Sequence, residues 1–389
     1  MKKKYIEDIE FLINKLEVLH PCLYFNINKE YIDKMIEQFK NSNNQVNDYQ
    51  FFYFISFLLK QLNDSHTYCF LPTKIFPFKL KIIENKVYII ESSKEYSKYK
   101  FFEIIAINNI HISMIMKELE KIISYSTNGW LEKELENELL SSSIILSLPT
   151  MINSDEEISY TLEKDGISEV LKLSTEKKYN YDFIDTRNYW FEYNQDDNIL
   201  IIKYKNCHQE EKKTMLAFVK EIQIFIRDHN INNIIVDIRD NAGGDSSVIN
   251  PLIKYLKNGN FNITTLVDKG VFSSGVFALI DLKHIGSNFV GTQIGTQINH
   301  FGHSNHFVLP NSNINVGCST KYWYCKENKM RGIDKIHFHQ FYKKNIKCFI
   351  SDIFLPDINI ENKIEDYKNG CDKQLMIALE NISNKRSLI

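Results

Sequence analysis

Residues 234–253 read Ile234-Ile235-Val236-Asp237-Ile238-Arg239-Asp240-Asn241-Ala242-Gly243-Gly244-Asp245-Ser246-Ser247-Val248-Ile249-Asn250-Pro251-Leu252-Ile253. Residues 263–280 read Ile263-Thr264-Thr265-Leu266-Val267-Asp268-Lys269-Gly270-Val271-Phe272-Ser273-Ser274-Gly275-Val276-Phe277-Ala278-Leu279-Ile280. Each is a strand, a turn and the opening of a helix. A short β-branched run without polar alternation at 234–238 predicts a strand buried on both faces, as in a parallel sheet between helices. The Gly243-Gly244 pair allows a tight turn with free amides, and Asp245 or Ser246 is a candidate cap for the helix that follows. In the second stretch, Ser273 or Ser274 stands at a helix N-terminus, where unpaired N–H groups and the helix dipole favour developing negative charge. That is the setting of a serine nucleophile, whose tetrahedral intermediate carries an oxyanion. A plain N-cap suits the same position, so this stretch leaves both readings open.

Outward from this core, Ile199-Leu200-Ile201-Ile202-Lys203-Tyr204 predicts the preceding strand and 210–227 the helix between them, an order that calls for a parallel pair joined by a crossover. Asn288–Thr292 is a further parallel candidate. Upstream, apolar residues at helical spacing (Ile9, Leu12, Ile13, Leu16, Leu19) run into His20-Pro21, which stops a helix. Two more helical patterns, 30–39 and 49–62, complete a small helical module that ends at Asn63-Asp64-Ser65-His66-Thr67. Short strands follow at 78–83, 86–90 and 102–107, then an Asn108-Asn109 turn, helical patterns to about residue 150 and alternating strands at 156–175. Phe307–Pro310 and Ile314–Ser319 predict a hairpin around Asn311-Ser312-Asn313. Residues 326–347 read as a charged, irregular surface excursion, and a last helix is expected at 365–382.

Asp237-Ile-Arg-Asp-Asn-Ala-Gly-Gly244 with Pro251-Leu-Ile253 and Phe272-Ser-Ser-Gly275 resembles the core of the C-terminal-processing and tricorn-core (tail-specific) serine peptidases. Leu309-Pro-Asn-Ser312 with Ser319-Thr320, His20-Pro21 and Asp64-x-His66-Thr67 extend the resemblance over most of the chain. It implies Ser273 as nucleophile, with the small Gly275 two positions on, although Val276 stands where the family often has an acid. It implies an oxyanion hole from the amides of Ser274 and Gly243. In the lysine branch the base lies in a Thr-Phe-Gly-Lys-Gly-like turn, and here the chain reads Gly291-Thr-Gln-Ile-Gly-Thr296 with no lysine. The tricorn-like branch uses a histidine preceded by a serine, which implies catalytic roles for His66 and Ser65. A histidine takes a serine's proton at neutral pH. That branch also adds a glutamate before the Pro-Asp motif. This chain has none in Cys348–Leu355, where Asp352 is the nearest acid.

The fold class expected is therefore an α/β catalytic domain with a crotonase/ClpP-like ββα core of parallel strands, an N-terminal helical module and a small PDZ-like or α/β spacer. The domain bounds expected are 1–70, 71–190 and 191–389. The reaction implied is hydrolysis of peptides or unfolded polypeptide tails. A peptide-binding protein that keeps the fold without turnover is one rival, suggested by the missing glutamate and Val276, and a crotonase-like acyl-CoA enzyme is another.

At 389 residues, with 43% hydrophobic content, the chain can bury a sizeable core. A net charge of −2 gives no electrostatic reason to invoke nucleic acid or an anionic membrane. Seven scattered cysteines suggest reduced thiols, and acidic residues Glu7, Asp8 and Glu10 interrupt any signal-like run behind Lys2-Lys3-Lys4. No stretch approaches the ~18 apolar residues a membrane span needs, so the expected location is cytoplasmic. No metal or other cofactor is expected: His300, His303 and His306 are spaced by three but lack a zinc-site pattern such as His-Glu-x-x-His. The resemblance admits homo-oligomers without requiring one.

Overall fold

A computed structural model describes residues 2–42, 46–151, 157–345 and 353–384. In chain order its helices and strands begin with α1 (Lys2–Leu19), α2 (Lys29–Asn41), α3 (Asp48–Lys60), β1 (Tyr68–Phe70), β2 (Phe78–Ile83), β3 (Lys86–Ser92), β4 (Glu103–Ile107) and β5 (Ile110–His111). There follow α4 (Ile112–Glu120), α5 (Asn128–Glu138), α6 (Ser142–Ser147), β6 (Glu157–Lys164), β7 (Ile167–Ser174), β8 (Tyr189–Asn194), β9 (Ile199–Tyr204), α7 (Met215–His229) and β10 (Asn233–Asp237). The remainder are α8 (Asn250–Asn258), β11 (Asn262–Val267), α9 (Ser274–His284), β12 (Asn288–Gly291), β13 (His300–Val308), β14 (Asn315–Lys326), β15 (Lys329–Asp334), α10 (Lys335–Lys344), β16 (Ile358–Asn359), α11 (Ile364–Lys368) and α12 (Lys373–Asn384).

The chain divides into two compact units, one of Met1–Ile184, His300–Trp323 and Gly332–Phe349, the other of Asp185–Asn299, Tyr324–Arg331 and Ile350–Ile389. Residues 1–70 and 71–184 thus share a unit, and the segment from His300 joins them.

In the second unit the apolar run at 234–236 is the centre of a sheet ordered β16-β12-β11-β10-β9-β8. β9 to β12 and β16 are parallel, and β8 is antiparallel to β9. Because strand side chains alternate, neighbouring residues enter different cores. Leu200, Ile202, Ile234, Val236 and Val267 pack with Phe218 and Ile222 of α7, Leu252 of α8 and Leu279 of α9. Ile199, Ile201, Ile235, Leu266 and Val290 pack with Ala378 and Ile382 of α12 on the other face. All five residues of β10 are buried, which is why its run lacks polar alternation. Two expectations change in this unit. The helix after the glycine turn begins at Asn250, with Pro251 in its first turn, so Asp245 and Ser246 do not cap it; Asp245 instead accepts from the Ser247 amide and hydroxyl in the turn. The terminal helical pattern is two helices, α11 and α12, separated by Gly370 at φ +63°.

In the first unit α1 buries Tyr5, Ile9, Leu12 and Leu16 against Phe51, Phe52, Ile55 and Leu59 of α3 in one core. An antiparallel sheet ordered β2-β3-β4-β6-β7, with β5 on β4, carries the alternation expected of a half-buried sheet, as in Ile158, Tyr160 and Leu162 of β6. The predicted hairpin is β13 and β14, antiparallel and longer than the apolar pattern suggested. Its Asn311-Ser312 turn is fixed by buried Asp8 of α1, which accepts from both backbone amides at 2.9 and 2.8 Å. The charged stretch read as an irregular excursion from Lys326 contains instead β15 and α10, because Phe338 and Tyr342, one turn apart, pack on Phe25 and Phe338 also packs on Phe301 and Tyr322. Among the described residues no helix is long and apolar enough to cross a membrane.

Candidate active site

The two strand–turn–helix stretches meet within the second unit. Gly243 has φ +102°, and a Cβ there would stand 2.8 Å from both Ser273 Cβ and the Ser274 amide nitrogen. Only glycine allows both the conformation and the approach. The Phe272 amide donates to the Asn241 carbonyl at 2.9 Å, and a Cβ at Gly275 would lie 2.7 Å from that same oxygen. This close passage is the physical reason for a small residue two positions after Ser273. Asp268 ties the turns together by accepting from the amides of Asp240 and Gly270 at 2.8 and 2.9 Å.

Ser273 has φ 50° and ψ −122°, a strained conformation for a non-glycine residue, and its side chain makes no capping hydrogen bond to α9. The Ser274 hydroxyl behaves differently: it donates to the Gly244 carbonyl at 2.6 Å. As the first residue of α9, Ser274 presents an amide with no intrahelical acceptor. The Gly243 amide points to Asn241 Oδ1 at 3.0 Å, and Asn241 is held in turn by donating from Nδ2 to the Tyr204 carbonyl at 2.9 Å. Val276 is fully buried in the core shared with α7 and α8, so an apolar residue there is a packing choice.

In the first unit His66 lies on the loop between α3 and β1, and Asp64 organises that loop. The buried Asp64 carboxylate accepts from the His66 amide at 2.9 Å, Thr67 Oγ1 at 2.6 Å and Ser319 Oγ at 2.6 Å, with His20 Nε2 at 3.2 Å. Burial alone would raise its pKa, but the hydrogen bond and charge of His20 outweigh it and hold Asp64 below the usual carboxylate range. The Ser304 hydroxyl donates to the His66 carbonyl at 2.9 Å, and the Ser319 amide donates to Thr67 Oγ1 at 3.1 Å. Ser65 Oγ is 3.0 Å from Ser126 Oγ. Both ring nitrogens of His66 are shielded from solvent. Its pKa is pushed down to about 3, first by burial and then by His300, against an opposing pull from Asp64. The ring is therefore neutral at neutral pH.

Ser273, Ser274 and Gly243 thus come together in one unit, while His66 and Ser65 belong to the other. Asp352 lies outside the described residues. In sequence His20, Asp64, Ser319 and Asn241 stand out as a helix stop or as parts of the motifs that carry the resemblance, and not for what they hold. The His20-Pro21 and Ser319-Thr320 motifs were the available signals. His300 of the histidine triplet is buried, His303 is exposed and His306 bonds Tyr68 at 3.2 Å. Among the described residues no group of three or more metal-ligating side chains could hold an ion.

A parallel sheet that presents a strained serine at a strand-to-helix turn, against a glycine turn, is an arrangement that serine hydrolases use. No family model and no curated protein matches the sequence. Among solved structures the chain is similar to mature CPAF, with a TM-score of 0.69 and 11% identity over 98% of both chains. It is also similar to mature CPAF complexed with lactacystin, with a TM-score of 0.67 and 12% identity over 98% of this chain and 99% of that one. The photosystem II D1 C-terminal processing protease follows at a TM-score of 0.45 and 12% identity, over 91% and 93% of the two chains. The likeness to mature CPAF shows that this chain shares its fold.

Proposed function

We propose that this protein is a serine endopeptidase that hydrolyses peptide bonds in peptides or unfolded protein tails. The observation that carries the reading is the state of Ser273: its hydroxyl is withheld from the helix cap that a structural serine would make, on a backbone held in a strained conformation beside an uncapped helix N-terminus. Ser273 Oγ attacks the substrate carbonyl, His66 takes its proton and returns it to the leaving amine, and water then releases the acyl group. The Ser274 amide is one oxyanion donor. The Gly243 amide is the second once it turns from Asn241 Oδ1 to the substrate oxygen. Ser65, next to His66, completes the tricorn-like arrangement. The core is read as crotonase/ClpP-like and the antiparallel sheet of β2 to β7 as a PDZ-like spacer, with 1–70, 71–190 and 191–389 as the functional segments. Substrate bound as an added strand needs little side-chain selectivity. The setting is read as reducing and cytoplasmic, from seven cysteines scattered along the sequence.

One observation favours a second reading, a peptide-binding protein with a latent site: the Gly243 amide is already engaged by Asn241. Intact mass after exposure to a fluorophosphonate separates the two. Stoichiometric labelling that is lost in Ser273→Ala and His66→Ala and kept in Ser274→Ala is the expected result. A folded wild type that takes no label overturns the peptidase reading in favour of the binding one.

A further inference from the structure

His66 does not stand alone in its unit. The imidazole of His300, the first residue of β13, lies nearly parallel to it, with ring centroids 5.2 Å apart and planes 13° from each other. Both side chains are buried, each 5% exposed. Parallel, offset stacking of this kind restrains the plane of a ring through its π surface and leaves the edge that carries the nitrogens outside the stack. A loop histidine owes its direction in part to what packs on it, and the hydrogen bonds from the His66 amide to Asp64 and from Ser304 to the His66 carbonyl fix the backbone around it.

We infer that His300 is a positioning residue for His66, holding the plane of its ring by stacking and opposing its protonation as a like-charged neighbour. The catalytic consequence rests on the serine-peptidase reading; the pairing itself does not. The charge argument follows from distance: two imidazolium rings at this separation repel by an amount equivalent to about a hundredfold in proton affinity at an effective dielectric constant of ~20, so a charge on His300 opposes protonation of His66. Asp64 faces His66 from the same loop and pulls the other way, as its attraction for the protonated ring requires. Its oxygens, however, are already given to His20 from the end of α1, to Thr67 and to Ser319 of β14. Burial opposes it first, and then His300 from β13. The outcome is a base kept neutral with the plane of its ring held; of the histidine triplet, His300 is buried while His303 and His306 are exposed.

The experiment is a histidine-resolved NMR titration of the full chain, run beside fluorophosphonate labelling rates, for wild type, His300→Phe and His300→Ala. Phenylalanine keeps a ring to stack and removes the charge; alanine removes both. In wild type the His66 signals are expected to stay those of a neutral ring down to about pH 4.5. In His300→Phe its midpoint is expected to rise by about one unit or more, tenfold in proton affinity, with labelling at pH 8 within about twofold of wild type. His300→Ala is expected to label about tenfold more slowly at that pH, a loss that the phenylalanine variant recovers. A His66 midpoint unmoved in both variants, or a phenylalanine variant that labels as poorly as alanine, overturns the inference. Labelling absent from wild type while the midpoint still shifts sinks the peptidase reading and leaves the pairing standing.

Discussion

At Ser273 the backbone angles, φ 50° and ψ −122°, are those of a position that glycine fills without cost. A side chain held there stores about 1–3 kcal/mol of local strain, which the two interlocked turns must sustain. The strain explains how one serine of the Ser273-Ser274 pair is set apart: Ser274 donates to Gly244 as an ordinary structural hydroxyl, and Ser273 is pushed out of the capping geometry. It also gives a prediction that separates function from stability. Ser273→Gly and Ser273→Ala both lose the hydroxyl, but only glycine relieves the conformation. Ser273→Gly is expected to be more stable than Ser273→Ala by about 1 kcal/mol in urea unfolding, with both unlabelled by fluorophosphonate. Equal stability of the two variants would show that the turn is relaxed.

At the scale of elements, α5 contains a local conflict. Glu134 and Glu138 are half-buried and one helical turn apart, a like-charged i,i+4 pair that destabilises a helix when both are ionised. Burial raises the pKa of both, and the charge of Glu134 adds to the rise at Glu138. A carboxyl whose folded pKa exceeds its unfolded value favours the folded state below the unfolded pKa, near 4.5, and loses that contribution as pH rises through the folded one. Glu138→Gln is therefore expected to raise the melting temperature by about 1–2 °C at pH 8 and to leave it unchanged at pH 4. The conflict was not visible in the sequence, because helical periodicity at 125–150 says which residues share a face and not how deeply that face is covered. Legibility of the other elements follows the same rule. β10 and α1 were readable because their own residues supply the pattern, an unbroken β-branched run in one and apolar positions at helical spacing in the other. β15 and α10 were not: in Lys335–Lys344 the charged and polar residues mask the apolar ones, and the helix gains its partners, Phe25, Phe301 and Tyr322, from distant segments.

The same division between local pattern and distant partner runs through the whole molecule. The turn chemistry of Gly243-Gly244 and Ser273 was legible, because glycine and a serine ahead of a helix carry their geometry with them. The surroundings of His66 were not, because Asp64 meets Ser319 across 255 positions and His300 comes from a strand that sequence pattern placed further on. Those distant contacts make His66 a thermodynamic marker for the fold as well as a candidate base. Its folded pKa is depressed to about 3, against about 6.5 in an unfolded chain. The sign follows from proton counting: below pH 6.5 the unfolded chain binds a proton at His66 that the folded chain refuses, so the contribution of a neutral His66 is complete above that value and drains away as pH falls toward 3. Asp64, depressed below the carboxylate range, keeps its own contribution over that window and loses it only at lower pH, and the α5 carboxyls act in the opposite direction. Comparison with His66→Asn removes both of these from the measurement. From pH 7 to pH 4.5 the wild type is expected to lose about 2 kcal/mol of unfolding free energy relative to that variant, measured by urea unfolding at each pH. An unchanged difference between the two proteins across that range would mean that His66 protonates as readily in the folded chain as in the unfolded one, and that neither its burial nor the stacked His300 ring shields it.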